Sequence, residues 1–234
     1  VATSHSSFVI KSSAPSFAPD GGEFTNEVTV LMDSTTVGTK IYYTLDGSSP
    51  TEASSLYTGG ITVSKTGVQV RAIAIAADKA PSVVVTSNAF QIKSAKPTFF
   101  ANGTHWAGAP ESEGDFVEMA EIHIACDTPG ADLYYTLDGS SPTASSLLYE
   151  GPFLVKKYGD TTVKAVSVAT DMSTSPTAMS STYDIIQQVP APQFDPAASE
   201  PFVTSVTFTI SSQVSLVSIY FTTDGSEPNQ HAAQ

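Results

Sequence analysis

The sequence predicts an all-β protein built from tandem β-sandwich modules. Three observations carry that prediction. The ten residues Tyr42 to Thr51 return unchanged as Tyr134 to Thr143. Short β-branched runs are separated by Gly, Pro, Ser and Asp clusters, and no segment carries a sustained helical apolar stripe. The spacing from Tyr43 to Tyr135 is 92 residues, and a third, substituted copy places Phe221 another 86 residues on. That period is the size of one sandwich domain.

In chain order, Ser7-Phe8-Val9-Ile10-Lys11 resembles Ala89-Phe90-Gln91-Ile92-Lys93, so residues 1–11 read as the last strand of a preceding module. Residues 12–93 read as module 1, 94–188 as module 2, and 189–234 as the first part of a third, truncated module. Each opens with a proline two residues before a phenylalanine: Pro15 and Phe17, Pro97 and Phe99, Pro192 and Phe194. Proline cannot donate to a sheet ladder and stiffens a joint, so these positions read as boundaries.

Alternation then puts Ile41, Tyr43 and Leu45 on one face of a strand and Tyr42 and Thr44 on the other. Copies two and three repeat the first face as Leu133, Tyr135 and Leu137, and as Ile219, Phe221 and Thr223. The bend that follows is Asp46-Gly47, Asp138-Gly139 or Asp224-Gly225. Aspartate bonds the amides ahead of it and glycine accepts positive φ. Tyr57 and Tyr149 come at matched distances, as do the runs Val70–Ile75 and Val163–Val168, which close near Asp78 and Asp171. The third copy stops before any counterpart of Tyr57. A half-sandwich exposes strand edges and an open core, so further chain is expected to complete it. The alternative is donor-strand exchange, with residues 1–11 of a neighbouring subunit added to it.

The 234 residues carry 10 Lys+Arg against 23 Asp+Glu, for a net charge of −13, and one arginine, Arg71. Phosphate binding needs clustered cations, so nucleic acid is excluded as a partner. No run of about 18 apolar residues occurs, so no membrane-spanning helix is expected in this window. The Ser/Thr/Ala/Val-rich composition, with few charges, points to the cell exterior. Cys126 is the one cysteine. Alternation places it with Ile122 and Ile124, as an inert core thiol.

The pattern Tyr-Tyr-Thr-x-Asp-Gly-Ser-x-Pro-Thr, then a Ser, then a Tyr before Gly-Gly or Gly-Pro and an apolar strand, resembles the chitobiase/β-hexosaminidase C-terminal-type repeat, also called fibronectin-III-associated. The resemblance covers Pro15 to Lys93 and Pro97 to Gln188, and part of Pro192 to Gln234. It implies immunoglobulin/fibronectin-III-like, non-catalytic modules of secreted and surface proteins, and carries over no catalytic residue. This chain departs from the pattern at Gly60, where Pro152 stands in the second unit, at the missing Thr after Pro228, and in a longer first loop of module 2.

Candidate chemistry is sparse. The recurring aspartates supply one carboxylate per turn where calcium takes six to eight oxygens, so Asp46, Asp138 and Asp224 read as turn caps. His5, His105, His123 and His231 lack ligand or triad spacing. Glu111, Glu113, Asp115, Glu118 and Glu121 read as a solvated acidic face and not as paired glycosidase acids. No catalytic residue, metal or cofactor is predicted.

The ten residues that lengthen module 2 fall around Phe100–Pro110. They contain the sole tryptophan, Trp106, beside His105, and the sole Asn-x-Ser/Thr sequon, Asn102-Gly103-Thr104. Asn102 is a glycan acceptor candidate on an exposed loop if the source has a eukaryotic secretory route. Trp106 reads as packing over the sandwich edge, as a module or subunit contact, or as a ligand platform.

The expected function is a non-catalytic extracellular array forming a stalk, fibre or surface filament, with adhesion through lateral contacts. Its partners would be further copies of the module, in the same chain or in neighbouring subunits, and glycans. The alternative is a carbohydrate-binding accessory region of a larger secreted glycan-active protein.

Overall fold

The computed structural model describes residues 9–103, 115–195 and 207–229. The chain divides into two compact units, residues 1–185 and 186–234. Among the described residues every regular element is a strand.

The first sandwich of unit 1 contains β1 (Ser16–Ala18), β2 (Gly22–Thr25), β3 (Val28–Asp33), β4 (Lys40–Thr44), β5 (Ser55–Leu56), β6 (Ile61–Val63), β7 (Arg71–Ile75), β8 (Val85–Thr86) and β9 (Phe90–Lys93). One layer is β1-β3-β6. The other is β5-β4-β7-β8, with β9 pairing parallel to β2. The second sandwich contains β10 (Thr98–Gly103), β11 (Asp115–Val117), β12 (Ala120–Ala125), β13 (Asp132–Thr136), β14 (Leu147–Leu148), β15 (Phe153–Val155), β16 (Gly159–Val168) and β17 (Ala178–Ile186). Its layers are β10-β12-β15 and β11-β17-β16-β13-β14.

The two cores are assembled from equivalent positions. Val30, Ile41, Val63, Val70, Ala72, Phe90 and Ile92 are buried in the first. Ile122, Leu133, Val155, Val163, Ala165, Tyr183 and Ile185 take the corresponding places in the second. Strand alternation sends these side chains inward and their neighbours to solvent. Leu45 departs from the face reading: it is 40% exposed, as is Leu137. Each lies one residue beyond the end of its strand, where the chain has already begun to bend and the alternation no longer applies.

The repeated bend is the same in all three copies. Oδ1 of Asp46 accepts from the amide and the hydroxyl of Ser48 at 2.9 and 2.6 Å. Asp138 and Asp224 bind Ser140 and Ser226 in the same way. The intervening Gly47, Gly139 and Gly225 have φ of 81°, 81° and 79°. That left-handed backbone disfavours any residue with a side chain. From β7 and β16, Arg71 and Lys164 donate to the carbonyls of Gly47 and Gly139, clipping the bend to the sheet.

The serine hydroxyl and amide hold all three aspartates below the usual carboxylate range. A lowered folded value means that the turn's contribution is complete above the unfolded aspartate range and is lost as pH falls through it, below about pH 4. Asp138→Asn keeps an acceptor oxygen but not the charge. Urea unfolding between pH 2.5 and 6 is therefore expected to show a shallower acid-side loss in this variant, and an unchanged slope would contradict the assignment.

Where the strand pairs are irregular, buried serines replace the missing ladder bonds. Ser87 accepts from the Val70 amide and donates to the Asn88 carbonyl, and Ser180 repeats this with Val163 and Ser181. Ser82 and Ser175 do the same for Ala74 and Ser167.

Unit 2 contains β18 (Gln193–Asp195) paired antiparallel with β19 (Thr209–Ser211). Phe194, Phe208, Ile210, Ile219 and Phe221 line an open cleft of about 810 Å³. These positions correspond to Phe17, Val30, Met32, Ile41 and Tyr43 of the first sandwich. Val30 is fully buried there, whereas Phe194 is 56% and Phe208 44% exposed. The face has the composition of half a sandwich core.

Candidate functional site: the joint between the two sandwiches

Among the described residues, a dense set of long-range polar contacts lies where β9 hands over to β10. A serine-rich connector of this kind ordinarily loops through solvent, since its backbone groups need partners. Here Ser94 and Ala95 are 1% and 6% exposed. Their polar groups are met as follows.

The Ser94 hydroxyl donates to the Ser167 carbonyl at 2.7 Å, and the Ser167 hydroxyl donates back to the Ala95 carbonyl at 2.5 Å. The Ser94 amide donates to Ser173 O at 3.1 Å and the Ser173 amide to Ile92 O at 2.8 Å. This makes a one-rung parallel bridge between the end of the first sandwich and a loop of the second. Thr128, 4% exposed, accepts from the Ala95 amide at 2.6 Å and donates to Asn26 Oδ1 at 2.5 Å. Asn26 holds φ of 65°, a conformation asparagine tolerates, and its amide bonds Lys93 O. The Thr66 amide reaches Asp171 O at 2.8 Å, its hydroxyl lies 3.1 Å from the Ser173 hydroxyl, and Met172 packs against the first core. An exposed Lys65–Asp171 ion pair at 2.7 Å completes the perimeter. Being screened by water, it adds little.

The same construction occurs a second time, before β1. The Ala80 amide donates to Ile10 O, the Ser12 amide to Ala80 O, and the Ser13 amide to the Thr36 hydroxyl, each at 2.9 Å. These repeat the bonds of Ser173, Ser94 and Ala95, and Lys11 and Ala80 form the matching parallel bridge. Ser12 is 4% exposed, yet Ile10 is 69% exposed while its counterpart Ile92 is fully buried.

Cys126 belongs to this construction. It packs partly against the second core, as alternation suggests, but it lies just past β12 and its thiol points to Ala95 O at 3.2 Å. In the first sandwich the same place is held by Ser34, whose hydroxyl donates to Ser13 O at 2.9 Å. The thiol therefore substitutes for a hydroxyl cap and is only half-buried, correcting the reading of a purely apolar core residue.

The other singled-out residues are dispersed. Asp46 and Asp138, with Gly47 and Gly139, form the bends that follow β4 and β13, and Asp224 with Gly225 forms the same bend within unit 2. Asn102 lies on β10, paired opposite Glu121, and not on a loop, because the first part of the module 2 insertion lengthens that strand. His105, Trp106, Thr104, Glu111, Glu113, His5 and His231 lie outside the described residues. Of the acidic series, Glu118 accepts from the Tyr158 hydroxyl at 2.7 Å and Glu121 approaches His123 at 3.3 Å. Sequence reading missed Ser12, Ser94, Thr128, Ser167 and Ser173. The available signal was the recurrence of Ile-Lys-Ser at positions 10–12 and 92–94.

Fold and joint together define a tandem-repeat protein in which successive β-sandwiches meet through a hydrogen-bonded seam. The family model of the chitobiase/beta-hexosaminidase C-terminal domain matches residues 19–86 and 111–181, and the chain belongs to that family. Among solved structures, the fibronectin(III)-like modules of Clostridium thermocellum CbhA align with 74% of this chain and 94% of theirs. The identity there is 13% and the TM-score 0.27. No curated protein matches the chain. No helix among the described residues is long and apolar enough to cross a membrane.

Proposed function

We propose that this chain is a section of an extracellular structural array, a stalk, fibre or surface filament, in which each joint fixes the pose of one sandwich on the next. The observation that carries this reading is the duplication of one joint at two places, residues 10–13 and 92–95. A repeated hydrogen-bonded seam, buried at Ser94 and Ala95, transmits orientation from module to module in the manner of a solenoid-like array. A flexible connector would instead leave its serines in water.

In this reading residues 1–11 close a preceding sandwich, and Ile10 is the anchor that such a sandwich buries. The open face of unit 2 takes strands of the same alternating pattern, from the same polypeptide or from a neighbouring subunit. Modules 12–93 and 94–188 are scaffold and carry no catalysis. Their acidic charge keeps neighbouring filaments apart and in solution.

A glycan array with the intact chain, combined with small-angle scattering at low and high salt, tests the proposal. The expected result is no specific saccharide binding and an unchanged distance distribution within residues 9–185. Saturable binding to one saccharide class would instead assign the chain to a carbohydrate-binding accessory role.

A further inference from the structure

We infer that Asn102 is an N-glycan attachment site and that Phe100 is the seat for its first sugar. The inference rests on the extracellular reading above and concerns the stretch of module 2 where β10 continues past the length of β1. Strand β10 runs six residues where β1 runs three, and the added residues bring Ala101, Asn102 and Gly103 opposite β12.

Residues two apart on a strand share a face about 6.5–7 Å apart, so Phe100 and Asn102 point the same way. Side-chain geometry agrees. The Phe100 ring stacks on His123, with centroids 4.6 Å apart and planes 15° from parallel. Asn102 Nδ2 lies 3.4 Å from Nε2 of the same histidine. The acceptor nitrogen and the aromatic ring thus flank one imidazole. Phe100 is 52% exposed and Asn102 is exposed.

An exposed phenylalanine ring next to a sequon asparagine has a direct use. The first sugar of an N-linked chain presents a flat face of C–H groups, which packs on an aromatic ring by dispersion and by contact with its electron-rich face. Attachment leaves one hydrogen on Nδ2. Gly103 has a separate reason to be glycine: a Cβ there would lie 2.5 Å from the Phe116 ring.

The transfer needs a lipid-diphosphate-linked oligosaccharide as donor. The bond from the sugar's anomeric carbon to the diphosphate oxygen breaks and the bond to Asn102 Nδ2 forms. The lipid diphosphate departs, and one amide proton is released.

The test is secretion of the full chain from a eukaryotic cell line, with intact mass and melting temperature measured before and after enzymatic removal of N-glycans. The expected result is one glycan per chain, absent in Asn102→Gln. Its removal should lower the melting temperature by about 2–4 °C, the shift that a contact of this class gives in a chain of this size. In Phe100→Ala the glycan remains and that shift falls by at least half. A chain secreted without a glycan overturns the proposal and leaves the extracellular reading standing, as does an equal melting shift in Phe100→Ala for the seat. A chain retained and degraded inside the cell overturns both.

Discussion

Replacing Phe90 by alanine is expected to destabilise the first sandwich by about 3–5 kcal/mol, the range for removing a fully buried aromatic side chain. Phe90 is 0% exposed and meets Phe24 with ring centroids 6.2 Å apart. Its amide and carbonyl also tie down Val68 and Gly67. Two residues further on, Ile92 supplies the carbonyl that binds Ser173, so loosening of β9 reaches the joint. Urea denaturation followed by hydrogen exchange is the measurement. Protection should collapse across β3, β4, β7 and β9, with β13 and β16 retained. A loss below 1 kcal/mol would mean that β9 is not part of a closed core.

The second large effect belongs to Thr128→Val, which preserves shape and deletes one hydroxyl. The Ala95 amide then loses its acceptor at a buried position, and Asn26 Oδ1 its donor at a half-buried one. An unsatisfied buried group costs about 1–3 kcal/mol. Because Thr128 ties the connector at Ala95 to Asn26 of the first sandwich, the expected signature is loss of coupling between the modules, with little change inside either one. Thr128→Ser restores the hydroxyl and should recover most of the effect. If the valine variant unfolds with wild-type cooperativity, the hydroxyl is not holding the joint.

Much of the fold was legible because the repeated features are local. The Asp-Gly-Ser bend is written in adjacent residues, and Gly47 and Gly139 adopt the positive φ that the dipeptide implies. Alternation placed Ile41 and Leu133 inward, and the spacing of Tyr57 and Tyr149 marked equivalent places just past β5 and β14. The joint was less legible. Ser94 and Ser167 read as linker and strand serines because a hydroxyl's value depends on what faces it 70 residues away in the sequence. Proline was expected to stiffen the boundaries, and Pro15 and Pro97 are buried beside β1 and β10. Most of the polar contacts across the connection nevertheless come from hydroxyls and main-chain groups. Cys126 was misjudged for a related reason, since alternation continued past the end of β12 into a residue that caps Ala95. Asn102 was assigned to a loop because insertions usually lengthen loops, whereas here part of the added length became strand and gained a paired neighbour.

Residual dipolar couplings of backbone amides test the fixed joint most directly. Amides of residues 14–93 and of the described residues in 96–185, fitted separately, should give one alignment tensor with the same magnitude and axes. Thr128→Val should split it. Two tensors of different magnitude in the unmodified chain would show that the sandwiches reorient independently, and the array would then have no fixed pose to propagate.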